Sequence, residues 1–234
     1  MEELQQQPLV ISGLTDDKQI AFYKKTYTHL ASAVLLFILV ETLFFQIPVI
    51  VNFALSLTQG WTWLLMLGGF MLMTSYAEKM ALRSHDRNKQ YLALLLYVAA
   101  EAFIFIPLIF IAMSIAEDGG FEILNQAAIL TLSLFSGLSA VVLLTKKDFS
   151  FLRSGLAIGF FIALGLIIAG TLFGFNLGLW FSAGMVVLAS GSILYQTSNM
   201  VHKYSEDQYV AASLGLFASL MLLFWYILSI LNRS

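Results

Sequence analysis

Apolar runs of helical length, separated by short polar joints, dominate the chain from residue 27 onward. Crossing ~30 Å of hydrocarbon takes ~20 helical residues at ~1.5 Å each. Seven stretches qualify: Tyr27 to Val51, Leu57 to Ala77, Tyr91 to Ile115, Ile123 to Leu144, Gly155 to Phe173, Leu177 to Tyr195 and Tyr209 to Leu231. The second and sixth are the softest. Thr58 and Gly60 blur the start of one, and only Gly174, Phe175 and Asn176 part the other from its predecessor. The runs are apolar on every face, whereas membrane barrel strands alternate over about ten residues. The pattern therefore predicts an all-α integral membrane protein. Residues 1–26 form a polar segment, residues 27–231 a seven-transmembrane-helix bundle, and residues 232–234 a short tail. The first run lies too far from Met1, and is too long, for a cleavable signal peptide, so it is read as a retained span.

Composition narrows the class further. Hydrophobic residues make up 59% of the chain and charged residues 11%, against about 25% charged in soluble domains. A net charge of −2 implies no polyanionic partner, and basic stripes suited to nucleic acid are absent. With no cysteine, disulfides and thiolate metal sites are excluded. Lys and Arg mark one side of the membrane. Lys18, Lys24 and Lys25 precede the first run. Lys79, Arg83, Arg87 and Lys89 follow the second, Lys146, Lys147 and Arg153 the fourth, and Lys203 the sixth. Of the twelve, only Arg233 falls on the other side, where the joints are uncharged or carry Glu117, Asp118 and Glu122. By the positive-inside rule the N-terminus is cytoplasmic and the C-terminus outside.

Two carboxyls stand inside the predicted spans, Glu41 near the middle of the first and Glu101 near the middle of the third, with no Lys or Arg in any span to neutralise them. A charge at the bilayer centre costs ~2.5–3.5 kcal/mol on insertion scales. Each carboxyl must be protonated, share a proton, reach water or hold a cation. They are the candidate ion- or proton-sensing residues. The plainer alternative is a protonated carboxyl donating one structural hydrogen bond, for which Tyr97 lies one turn before Glu101. Pro107, six residues beyond Glu101, predicts a kink in the third span, read more simply as static than as a hinge. The pairs Gly155/Gly159 and Gly170/Gly174 predict close helix approach within the bundle.

Other chemistry is not indicated. His29, His85 and His202 lie at span boundaries or in joints, without metal-ligand spacing on one helix face. The last run has no lysine for a retinal Schiff base, and no run contains a histidine to activate a serine nucleophile. Glycine-rich nucleotide loops are missing. The expectation is a protein that is not an enzyme and binds no cofactor.

Four segments carry a resemblance that covers the whole chain. They are Thr26-Tyr27-Thr28-His29-Leu30 leading to Glu41, Tyr97 with Ala100-Glu101-Ala102 and Pro107, Lys146-Lys147-Asp148-Phe149-Ser150-Phe151-Leu152, and Ile193-Leu194-Tyr195-Gln196-Thr197-Ser198-Asn199. In these the chain resembles the Bax inhibitor-1/YccA family, most closely its bacterial, YccA-like branch. The resemblance implies six helices around a central seventh and a place in the bacterial inner membrane. It implies either a pH-sensitive calcium leak or modulation of an FtsH-type membrane protease. In the leak-type members an aspartate at the end of the sixth span pairs with one in the seventh as a proton-controlled latch. Here those positions are Gln196 and Ser219, neither of which titrates near neutral pH. Any proton sensing then falls to Glu41 and Glu101. The two functional expectations are a cation leak or transporter for Ca²⁺ or H⁺, and a non-conducting regulator of a membrane protease or of stress and cell death.

Overall fold

The computed structural model describes residues 10–84, 86–115 and 121–233. His85, Glu117 and Asp118 lie outside the described residues. Among the described residues eight α-helices follow one short 3₁₀ turn at Ile11–Gly13: α1 (Asp16–Phe45), α2 (Pro48–Ser56), α3 (Thr62–Arg83), α4 (Arg87–Ile115), α5 (Phe121–Thr145), α6 (Leu152–Phe173), α7 (Gly178–His202) and α8 (Tyr209–Leu231). The all-helical class and the run at Tyr209–Leu231 match the sequence pattern.

The first predicted span does not continue to Val51. The helix stops at Phe45, where the amides of Gln46 and Ile47 turn back onto the carbonyls of Leu43 and Phe44. Pro48 then opens α2 in the first turn, where its missing N–H costs nothing. Hydropathy alone did not register this break, because α2 is as apolar as the span it follows. The polar segment is also partly helical. α1 begins at Asp16, so Lys18, Lys24 and Lys25 ride on its first turns. Ahead of it, Ile11 N–H donates to the Tyr204 carbonyl at 3.0 Å, tying the N-terminal segment to the α7–α8 joint.

Six of the helices (α1, α4, α5, α6, α7 and α8) are long and apolar enough to cross a membrane, one fewer than the seven runs. The remaining long helix, α3, starts five residues later than expected and carries Glu78, Lys79 and Arg83 in its last turns. Gly60, at φ +56°, makes the turn that displaces its start.

Two helices, not a single central one, share the interior. α8 packs against α1, α3, α4, α5 and α7, and α4 against α1, α2, α3, α5 and α8. Both are buried round most of their circumference, α8 almost continuously from Val210 to Leu223. Ala211, Ala212, Ser213 and Gly215 keep the first turns of α8 slim enough for its neighbours to close in. α6 is the outlier: it leans on α7 and only marginally on α3, and its large apolar side chains face outward. Gly159 lets Leu188 of α7 approach its backbone, while Gly174, left-handed at φ +73°, ends α6 with its amide on the Gly170 carbonyl.

One end of the bundle gathers the basic residues. Lys18 pairs with Glu206 at 3.6 Å, and Arg87 donates to the Asp207 carbonyl at 2.8 Å. The Lys146 ammonium lies 3.5 Å from the Gln19 amide oxygen, and His202 meets the Lys146 carbonyl. These contacts bring the starts of α1, α4 and α8 together with the ends of α5 and α7.

Candidate functional site

A partly open cavity of about 300 Å³ is walled by α3, α4, α6, α7 and α8. Its α4 wall is Ile104 beside a ridge of Tyr97, Glu101 and Phe105, spaced one helical turn apart. Tyr97 and Glu101 are each 5% exposed. No hydrogen bond joins them, although the Tyr97 hydroxyl lies within electrostatic reach of Glu101 and then Glu78. The helical pairing of Tyr97 with Glu101 anticipated from the sequence is therefore one of proximity, with both groups facing the same space.

Glu78 is the residue that sequence reasoning missed. It fell one position past the predicted end of the second span, among residues assigned to a joint. The structure carries α3 on to Arg83 and brings Glu78, itself exposed, to the cavity wall. It belongs to the basic end of the bundle. Burial, and secondly the Glu78 carboxylate, push the phenol of Tyr204 in the α7–α8 joint up to about 12. A lone acid just beyond an apolar run, on a helix still in phase, was the available signal.

Gln196 and Ser219 both line this cavity together with Glu101. The Ser219 hydroxyl lies 2.8 Å from that of Ser192 and donates to the Gly215 carbonyl at 3.1 Å. Gly215 lets the Gln196 side chain lie against the α8 backbone: a Cβ there would stand 3.0 Å from the Gln196 amide oxygen. The polar wall thus comes from three helices, α4, α7 and α8, with Glu78 of α3 at the basic end. Among the described residues no Lys, Arg or His lines it.

Glu41 is elsewhere. It lies on the buried stripe of α1 that also holds Phe37, Ala33 and Leu30, is 6% exposed, and does not reach the cavity. Both of its carboxyl oxygens are buried without a hydrogen-bond partner among the described residues. The structure therefore separates the two carboxyls that the sequence paired as candidates. Pro107 is buried within a continuous α4 and stands outside the cavity wall.

At the basic end His29 stacks on Tyr91 with ring centroids 5.7 Å apart and packs against Tyr209, and its Nδ1 lies 2.7 Å from the Lys25 carbonyl. Arg87 and Lys25 both lie over the Tyr209 ring. The joint at Lys146–Phe151 is tied to α7. Asp148 accepts from the Ser150 amide at 2.8 Å and from the Ser198 hydroxyl at 3.2 Å, and Ser198 accepts from the Phe149 amide at 2.8 Å. Two of the sequence segments noted for their resemblance, around Asp148 and Ser198, thus meet in space.

The profile of the family described as inhibitor of apoptosis-promoting Bax1 matches residues 19–234. The chain belongs to the Bax inhibitor-1 family. Among its relatives, the uncharacterised protein PA2604 of Pseudomonas aeruginosa is 39% identical over 119 residues, covering 50% of this chain and 53% of that protein. The Escherichia coli protein named modulator of FtsH protease YccA is 38% identical over 103 residues, 44% of this chain and 47% of its own. The Golgi anti-apoptotic protein of vaccinia virus is 34% identical over 118 residues, 48% of each chain. The chain spans about half the length of the curated relatives it matches. As a Bax inhibitor-1 family member with several apolar spanning helices, it is a multi-pass membrane protein.

Proposed function

We propose that the chain is a cation leak or transporter, passing Ca²⁺ or H⁺ by way of the cavity at Glu101. One observation carries this reading. A buried carboxyl lines a pocket in the helix bundle of a membrane protein, and among the described residues no basic side chain lines that pocket. Such a group is tolerable in hydrocarbon only as the neutral acid or with a cation or water at hand. Gln196 and Ser219, at the positions of the latch carboxylates in leak-type relatives, hydrogen-bond without titrating. Proton sensing in this cavity therefore rests with its two carboxyls, Glu101 on the buried α4 wall and Glu78 at the basic end.

The bundle spans the membrane seven times in this reading, with α3 as the seventh span. At 22 residues it reaches ~33 Å, and its charged last turns join the basic end. That end faces the cytoplasm of a bacterial inner membrane, with the C-terminus outside. No enzymatic reaction is assigned.

The test is flux from proteoliposomes across pH. Wild type passes Ca²⁺ above empty liposomes, and Glu101→Gln changes both flux and its pH dependence. Flux no greater than that of empty liposomes overturns the reading. A second reading, modulation of an FtsH-type protease without conduction, is favoured by the YccA relative. It predicts co-purification with the protease and slower turnover of its substrates. Normal turnover on overproduction would reject it.

A further inference from the structure

The cavity lining mixes two unlike chemistries. Glu101 and Tyr97 contribute polar side chains, and Trp63, Phe105 and Trp225 contribute aromatic rings. The rings are held in place. Trp225 meets Phe105 edge-on at 4.9 Å and stacks on Trp63 at 6.3 Å, and Phe105 stacks on Phe224 at 5.7 Å. Glu101 and Phe105 are neighbours on one ridge of α4, four residues and so ~6 Å apart along the axis. Glu101 and Tyr97 are both about nineteen-twentieths buried.

We infer that this cavity binds a small organic ammonium ion, its nitrogen at Glu101 and Tyr97 and its apolar or aromatic body against the joined wall of Phe105, Trp225 and Trp63. The inference rests on the reading that Glu101 holds a cation, and deepens it by naming the cation's class. A carboxylate and a phenol oxygen accept from ammonium N–H groups. Aromatic faces attract the cation and pack its carbon skeleton. A resident calcium ion fits less well, since Ca²⁺ takes 6–8 oxygen ligands. Here Ser192 and Ser219 spend their hydroxyls on each other and on the Gly215 carbonyl. About 300 Å³ stands at the lower end of the ~300–1,000 Å³ of ligand pockets, which restricts the ligand to a small amine.

Equilibrium dialysis of the full chain in nanodiscs tests this, with protein-free nanodiscs subtracted. Radiolabelled benzylamine, protonated at pH 7, is compared with benzyl alcohol, its neutral isostere. Saturable binding of the amine, at least tenfold tighter than the alcohol, is expected. Glu101→Gln is expected to remove that preference, and Trp225→Leu to weaken amine binding severalfold while leaving the preference. Equal affinity for amine and alcohol in the wild type overturns the proposal without any variant, as does amine uptake no greater than that of empty nanodiscs. Calcium flux measured on the same preparation separates the two readings. Amine binding without Ca²⁺ flux removes the calcium leak alone, whereas flux without amine preference removes this inference alone.

Discussion

Glu41 and Glu101 are nearly equal in sequence terms and in burial, 6% and 5% exposed, yet they occupy opposite kinds of surroundings. Glu101 lines a cavity shared with Tyr97, Gln196 and Ser219. Glu41 is packed into the α1 interface with both oxygens unpartnered. Burial alone therefore does not separate the two carboxyls; the space in front of them does. A carboxyl facing a cavity can exchange a proton or ion without disturbing its neighbours. One enclosed by packing can ionise only if helices part.

The sharpest way to break the comparison is to remove each carboxyl in turn. Glu101→Gln is expected to lower cation flux at least tenfold, about 1.4 kcal/mol of lost interaction. Glu41→Gln should leave flux within about twofold in the same proteoliposomes. A reversed order would transfer the site from the cavity to α1.

Stability should run the other way. Glu41 contributes a buried polar group with nothing to bond, a cost of about 1–3 kcal/mol. Glu41→Met, which keeps the volume and removes the unpaired oxygens, is expected to raise thermal stability in detergent by a few degrees. Glu101→Met should stay close to wild type, because its cavity already relieves part of that cost. A lowered melting temperature for Glu41→Met would mean that the carboxyl has a partner.

Gly215 probes the cavity wall without touching a carboxyl. An alanine Cβ would stand 3.0 Å from the Gln196 amide oxygen and 3.2 Å from its amide carbon. Gln196 must then swing into the cavity, so Gly215→Ala is expected to reduce flux about two- to fivefold with little loss of stability. Gly155, with open space at its Cβ position, should tolerate alanine without effect on flux. Equal effects at both glycines would detach Gln196 from the site.

How much of this was legible beforehand follows from the same residues. The apolar runs and the basic asymmetry disclose a multi-pass helical membrane protein because the hydrocarbon constraint acts on every residue of a span. The ends of helices are less readable. The break at Gln46 and Ile47 depends on a proline inside an unbroken apolar run, and the extension of α3 to Glu78 depends on helical phase continuing past the last apolar residue. Glu101 could be singled out by its charge, but not its distinction from Glu41, since that lies in which helices face it. The aromatic wall was invisible for the same reason. Trp63, Phe105 and Trp225 belong to three helices and read individually as ordinary span residues.

The smallest expected effect concerns a third carboxylate, Asp148, which sits outside the spans. The Ser150 side chain and amide, and to a lesser degree Ser198, hold its carboxyl below the usual aspartate range. A folded-state value below the unfolded one gives stability that is present at neutral pH and lost as pH falls through the native value. With an ordinary aspartate near 3.9, that loss falls below roughly pH 4. Asp148→Asn should lower the melting temperature slightly at pH 6, where the charged hydrogen bonds at 2.8 and 3.2 Å exist. The gap between variant and wild type should close as the pH is lowered toward 3. Because Asp148 lies far from the Glu41 and Glu101 sites along its chain and outside the cavity wall, flux at neutral pH should not follow it. If flux did follow Asp148, the joint that it ties to α7 would belong to the conducting route, and the division between a cavity that works and a frame that holds would have to be redrawn along α7.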